Sequence, residues 1–98
     1  MDEKRLYQII KRPIVTEKVM RLREKKNIVA FEVDINANKK EIKEAVEKIF
    51  KVKVKKVRTM IVRGKKVRRG WVEGKRPNWK KAYIELQEGD RIEYFEGA

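Results

Sequence analysis

The stretch NIVAFEVDINANKKEIKEAVEKIF, Asn27 to Phe50, contains the two patterns that decide the fold. Its first half has apolar residues at alternate positions, Val29, Phe31, Val33 and Ile35, and this period of two predicts a strand. In its second half, Asn38 and Glu41 have the spacing of a capping box, which marks the start of a helix. Apolar residues then recur at helical intervals, at Ile42, Ala45, Val46, Ile49 and Phe50. The sequence therefore predicts a strand followed by a helix from about Lys39 to Phe50, with the helix stripe facing the core.

The remaining elements are shorter and lie on both sides of this unit. Alternating apolar patterns predict three more strands, in LYQII (6–10), KKVRTMIV (55–62) and KAYIEL (81–86). After Pro13, TEKVMRLREKK (16–26) predicts a helix capped by Thr16. The tail after the Glu88–Asp90 turn predicts one more brief extended piece. The order predicts an α+β fold in which helices pack on a small sheet, as a single domain over residues 1–98.

The charge is concentrated in one third of the chain. Residues Lys51 to Lys81 hold 14 of the 28 basic residues and one of the 15 acidic residues, Glu73, so they carry the whole net charge of +13. Although a run of charge is often just a solvated face, a basic excess confined to one segment is typical of a surface that binds a polyanion.

A basic arm is predicted over residues 63–80, between the last two strands. The stretch that covers most of it, GKKVRRGWVEGKRPNWKK (64–81), contains eight Lys or Arg residues, three Gly and one Pro, a composition that forms neither a helix nor a core strand. The glycines predict bends or close approaches to a phosphate chain. Trp71, in the middle of the arm, favours contact with bases outside the protein, whereas Trp79, next to the last strand, favours folding back on the sheet.

Several function classes fit the composition poorly. The chain has no His, Cys or Ser, which excludes nucleophilic triads, thiolate metal sites and disulfides, so we expect neither an enzyme nor a cofactor or metal. No apolar run is long enough for a signal peptide or a membrane span, and a soluble, cytoplasmic protein is expected. Abundant Lys and Glu favour a thermophilic source.

Two other binding functions compete with binding to RNA. A DNA-binding regulator would place its basic excess on a recognition helix, but the helix from Lys39 to Phe50 is nearly balanced in charge. A membrane-surface protein needs a basic amphipathic helix, which the Gly and Pro residues of the arm prevent. Both alternatives are therefore disfavoured.

Three segments together resemble a known family. RPIVTEK (12–18), ANKKEIKEAVEKIFKVKVKKVRTM (37–60) and GKKVRRGWVEGKRPNWKKAYIELQEGD (64–90) are similar, in order and spacing, to the bacterial form of the large-subunit ribosomal protein that is twenty-third in the conventional series. The resemblance covers essentially the whole chain. Its most specific parts are Pro13 to Lys18, the opening of the second helix, and Gly74 to Ala82. Arg58 stands where that family generally has Asn.

The resemblance implies a small sandwich with an antiparallel sheet, and an arm that large-subunit ribosomal RNA binds near the nascent-chain exit tunnel. It also implies that Glu17 is a docking contact for the ribosome-associated chaperone, and that the signal-recognition particle visits the same rim. Neighbouring ribosomal proteins are expected partners; a small-molecule substrate and direct membrane binding are not. The residues predicted to bind RNA are Lys39, Lys40, Lys55, Arg58, Arg63, Lys65, Lys66, Arg68, Arg69, Trp71, Lys75, Arg76, Trp79, Lys80 and Lys81.

Overall fold

The computed structural model describes residues 3–70 and 72–92. Within them the helices are α1 (Glu3–Ile9), α2 (Glu17–Lys26) and α3 (Lys39–Phe50). The strands are β1 (Ile10–Pro13), β2 (Ile28–Val33), β3 (Val54–Val62), β4 (Lys66–Arg69), β5 (Val72–Lys75) and β6 (Trp79–Leu86). No helix of these two ranges is long and apolar enough to cross a membrane.

Four strands form one sheet in the order β1-β2-β6-β3, and every neighbouring pair is antiparallel. The last strand, β6, lies in the interior of this sheet, while β1 and β3 form its two edges. The predicted α+β class with an antiparallel sheet is therefore confirmed. Strands β4 and β5 pair with each other in a separate two-stranded hairpin.

The core lies between α3 and one face of the sheet, here called the inner face. Val29 and Ile84 are partners in register on β2 and β6, and both are fully buried together with Ile42 of α3. The ring of Phe31 stacks on Phe50 at 5.3 Å between centroids. The helix α2 contacts β2, and its Val19 is buried but does not belong to this core. The helix therefore covers part of the opposite face of the sheet, here called the outer face.

Local signals set the bounds of the two longer helices as predicted. At the start of α3, the Glu41 amide donates to Asn38 Oδ1 at 2.8 Å and the Asn38 amide donates to Glu41 Oε1 at 3.2 Å. At the start of α2, Thr16 Oγ1 accepts from the Val19 amide at 3.2 Å. Each cap satisfies amide groups that have no partner inside the helix.

The prediction of a strand in LYQII is wrong, because most of this segment belongs to α1. Leu6 and Ile9, three residues apart, both enter the core, which only a helix turn allows here.

Arg5 pairs with Asp34 and fixes α1 to the end of β2. An amide hydrogen bond from Asn36 and the Arg5 guanidinium together lower the pKa of Asp34. The strand predicted from Val29 to Ile35 ends earlier than expected. Ile35 is exposed and lies in the turn after β2.

The long basic arm is not confirmed as a single extended segment. Residues Lys66 to Lys75 form the hairpin β4–β5, and Trp79 and Lys80 already belong to β6. Gly70, directly after β4, has φ +56°, a conformation that favours glycine. Of the predicted extended piece after Asp90, Arg91 and Ile92 lie in no strand, and residues 93–98 lie outside the described residues.

The base of the hairpin is closed by backbone contacts. The Arg76 amide donates to the Lys65 carbonyl at 3.0 Å, and the Gly64 amide donates to Asn78 Oδ1 at 2.9 Å. A Cβ atom at Gly64 would lie 1.6 Å from the carbonyl oxygen of Arg76. Gly64 is therefore required because two backbone segments approach each other there, and not as a simple bend.

Candidate nucleic-acid interface

Strand β6 divides its side chains between the core and the outer face of the sheet. Successive residues of a strand point to opposite faces, so Ala82, Ile84 and Leu86 enter the core. Trp79, Lys81 and Tyr83 then share the outer face, and each is half-buried. The outer face thus combines aromatic and basic side chains, the two types that nucleic-acid surfaces use most.

Lys81 lies between the two aromatic rings of the outer face. Its Nζ atom is 5.8 Å from the centroid of the Trp79 ring and 5.5 Å from that of the Tyr83 ring. Both distances fall within the range of a cation–π contact. Because Trp79 and Tyr83 are each two residues from Lys81, the period of the strand itself puts both rings beside this ammonium group.

Arg12 brings a second cation from the edge strand β1. Its guanidinium carbon is 5.8 Å from the Trp79 ring, and its Nε is 2.6 Å from Glu32 Oε1. Glu32 is the register partner of Lys81, but its carboxylate pairs with Arg12. Among the side chains that the structure describes, Lys81 has no acidic partner in an ion pair.

A groove with a basic rim separates α2 from the outer face. It has a volume of about 260 Å³, and Leu22, Ile28 and Tyr83 give it an apolar floor. Its basic side chains are Lys18, Lys26, Lys56 and Arg58. None of these four forms an ion pair in the described part of the chain. The acid of the groove, Glu85, is engaged by Lys55 at 3.4 Å.

A larger concavity of about 640 Å³ lies where the hairpin leaves the sheet. Arg63 and Lys65 line it from one side, Arg76 from the other, and Trp79 from the sheet. All three basic side chains are exposed. The outer face and the base of the hairpin therefore share Trp79 as a common border, and basic groups continue from one to the other.

Comparison with known proteins gives a family and named relatives. Residues 8–94 match the model of the family described as Ribosomal protein L23. The chain is 56% identical over 91 residues to the large ribosomal subunit protein uL23 of Geobacter sulfurreducens, covering 93% of this chain and 97% of that protein. It is 48% identical over 98 residues to the protein of the same name from Aggregatibacter actinomycetemcomitans, covering 100% of this chain and 98% of that protein.

The chain belongs to the ribosomal protein L23 family. This membership confirms the resemblance found in the sequence and the predicted location in the ribosome. The family is one of ribosomal proteins and not of enzymes.

The structure brings some of the residues predicted to bind RNA together and separates others. Arg58, Trp79 and Lys81 share the outer face, and Arg63, Lys65 and Arg76 surround the base of the hairpin. Lys66 is exposed on β4, and Arg68, Arg69 and Lys75 lie on the hairpin strands, where the structure describes only the backbone. Trp71 lies outside the described residues.

Four predicted residues lie away from this surface in the L23-family fold. Lys80 points to the inner face, where its ammonium group donates to the Ala37 carbonyl at 2.6 Å. Lys39 and Lys40 are exposed in the first turn of α3, which packs on that same side. Lys55 lies at the far end of β3, beside Glu85. These residues do not form one site with Lys81.

Some candidate contacts were not found from the sequence. Tyr83 could have been found, since W-x-K-x-Y in a strand places Trp79, Lys81 and Tyr83 on one face. Arg12 could not, because its position over Trp79 depends on β1 pairing with a strand 20 residues away in sequence. Lys18, Lys26 and Lys56 join the groove only through the packing of α2 on the sheet.

Glu17, the predicted docking residue, lies in the first turn of α2, where a carboxylate stabilises the helix dipole. Its side chain is 83% exposed and accepts from Arg21 at 2.8 Å. Val15 and Met20, close to it in sequence, are large apolar residues with 44% and 48% exposure. An acid beside exposed apolar side chains is a suitable contact for a protein partner.

Proposed function

We propose that this chain is a structural component of the large ribosomal subunit that binds large-subunit ribosomal RNA beside the polypeptide exit tunnel. The single observation that carries the proposal is the confinement of the net charge of +13 to Lys51–Lys81. This segment forms β3, the hairpin and the first part of β6, so the excess positive charge lies on these consecutive elements of a ribosomal-protein fold. Such a surface neutralises phosphates, and Arg side chains can each hold two phosphate oxygens.

The names of the relatives support assignment to the large subunit, where ribosomal RNA and neighbouring ribosomal proteins are the partners. The proposal includes no small-molecule substrate, no cofactor and no direct membrane binding. The hairpin reaches away from the core, as its strands pair only with each other among the described residues. It is the element best suited to enter a cleft in folded RNA.

The RNA-binding role is tested by changing Arg68, Arg69, Lys75 and Arg76 together to Ala. Each lost phosphate contact lowers the slope of log affinity against log salt by about 0.7 to 0.9, so we expect the slope to fall by about 3. Filter binding to the cognate large-subunit RNA, to an unrelated RNA and to duplex DNA, at several salt concentrations, measures both the slope and the preference.

The matched control changes Lys4, Lys25, Lys43 and Lys48 to Ala, which removes the same charge from outside the basic segment. We expect this control to keep most of the slope. An equal loss in both variants, or no preference for the cognate RNA over duplex DNA at any salt, overturns the RNA-binding proposal.

We further propose that Glu17 is the docking contact for the ribosome-associated chaperone, and that the signal-recognition particle uses the same rim. Its exposure and the neighbouring apolar side chains support this role. Glu17→Ala should leave assembly into ribosomes intact and reduce chaperone affinity roughly fivefold or more, the effect expected of a central interface residue. Glu24→Ala, another exposed acid of α2, is the control. Unchanged chaperone affinity for Glu17→Ala ribosomes removes the docking role.

A further inference from the structure

We propose that the outer face binds base-paired RNA through its phosphates, and that Trp79 and Tyr83 position the cations of this face instead of stacking on bases. The inference rests on the proposed RNA-binding function and names the kind of RNA that this face accepts. It concerns the outer face formed by Trp79, Lys81 and Tyr83 of β6 with Arg12 and Arg58 on the two edge strands, β1 and β3.

The first argument is the occupancy of the rings. A surface that stacks unpaired bases needs aromatic faces open to the ligand. Here the ammonium group of Lys81 lies over both the Trp79 and the Tyr83 rings, and the Arg12 guanidinium also lies over Trp79. The protein's own cations thus occupy the positions that a base would take.

The second argument is what the cation–π contacts do to Lys81. A free lysine side chain samples many rotamers, and holding it in one position costs conformational entropy. Two rings placed two residues before and after Lys81 restrict that freedom and keep the ammonium group above the sheet. A cation held in place before binding loses less entropy when it contacts a phosphate.

The third argument is the regular spacing of cations on the outer face. Arg58 is the register partner of Tyr83 on β3, one strand away, and is exposed without an ion pair in the described ranges. Neighbouring strands lie about 4.8 Å apart, and residues two apart on a strand lie about 6.8 Å apart. The Cα atoms of Lys81 and Arg58 therefore occupy fixed points of the sheet. Cations that project from fixed backbone positions match a ligand whose phosphates are also regularly placed, which describes an A-form helix better than a flexible single strand.

The test compares two RNA probes of equal length, a 20-base-pair hairpin stem and an unstructured oligouridine, with the full chain. We expect tighter binding to the stem at matched salt. In the stem, Lys81→Gln should lower the salt slope by about 0.9, and Lys81→Arg should restore it. Tyr83→Leu should weaken stem binding roughly two- to fivefold, the size of a cation–π contact, without changing the slope.

A double-mutant cycle separates positioning from stacking. If Tyr83 acts through Lys81, Tyr83→Leu has no further effect on stem binding once Lys81→Gln is present. If Tyr83 stacks on a base, Tyr83→Leu weakens oligouridine binding by roughly 5- to 150-fold in both backgrounds, which overturns the inference. Trp79→Phe keeps an aromatic face at that position and should retain stem affinity.

Fluorescence gives a readout that is independent of affinity. The chain has two tryptophans, so a Trp71→Phe variant leaves Trp79 as the sole one. Saturation with oligouridine or with the stem should leave its emission nearly unchanged, because no base contacts the ring. Strong quenching by either probe overturns the inference while leaving RNA binding established. Absence of binding to both probes overturns the proposed function as well.

Discussion

The two faces of strand β6 differ, because one packs in the core and the other belongs to the candidate interface. On the inner face, Ala82, Ile84 and Leu86 have between 0% and 3% exposure and join the core. On the outer face, Lys81 and Tyr83 are only half-buried, and the lysine has no acidic partner among the described residues. The even-numbered residues Ala82, Ile84 and Leu86 thus pack in the core, and the odd-numbered Lys81 and Tyr83 belong to the candidate interface. Substitutions at neighbouring positions should therefore have different effects.

The largest expected difference is between Ile84→Ala and Lys81→Gln. Removing the buried Ile84 side chain leaves a cavity in the core and should lower the free energy of unfolding by about 2 to 5 kcal/mol. Lys81→Gln removes two cation–π contacts at a half-buried site and should lower it by only about 1 kcal/mol. Urea unfolding followed by circular dichroism measures both. Similar losses in the two variants would break the distinction between the faces.

An intermediate effect is expected for Gly64→Ala, which separates the hairpin from the sheet. A methyl group there meets the backbone of Arg76, so the base of the hairpin must open, at a local cost of about 1 to 3 kcal/mol. Amide hydrogen exchange should become faster at Arg76, whose amide donates to the Lys65 carbonyl, and the amide of Ile84 should stay protected. Lys65→Ala is the control and should leave both amides protected. Loss of protection throughout the sheet would show that the hairpin and the core unfold together.

The smallest effect is expected for Asp34→Asn, which removes the ion pair with Arg5 and lies away from the candidate interface. The folded-state pKa of Asp34 lies below its unfolded value of about 3.9. Its contribution to stability is therefore complete above about pH 4 and is lost as the pH falls through the folded-state pKa. Asp34→Asn should flatten the decline in urea midpoint on acidification below about pH 4. The salt slope of RNA binding at neutral pH should stay the same. A decline as steep as in the unchanged protein would show that other carboxylates dominate.

The sequence was sufficient where the deciding contacts are local. The bounds of α3 follow from Asn38, Glu41 and the apolar stripe, all within 13 residues, and the structure has the same bounds. The charge division is visible in the sequence and predicts which side of the fold is basic. The period of two in β6 predicts its buried residues, and it also indicates that Tyr83 shares a face with Trp79 and Lys81.

The sequence was insufficient where distant contacts decide. LYQII has the short apolar run of a strand, but the burial of Leu6 and Ile9 against α3 selects a helix. The sequence predicts an extended arm because Gly64, Gly70 and Gly74 are typical of separate bends, whereas the structure pairs β4 with β5, with Arg69 opposite Val72. The assembly of Arg12, Lys18 and Lys81 around one face depends on the order of strands in the sheet, which no local pattern encodes.

The order β1-β2-β6-β3 also bears on the newly made protein before any partner is bound. Both edges of the sheet carry cations, Lys11 and Arg12 on β1 and Lys55, Lys56 and Arg58 on β3. An exposed edge invites pairing with another copy, and charged side chains, together with a proline such as Pro13, oppose it. Any two copies that meet edge to edge bring like charges together. Three cations of the candidate interface, Arg12, Lys56 and Arg58, therefore also oppose edge-to-edge pairing of unassembled copies.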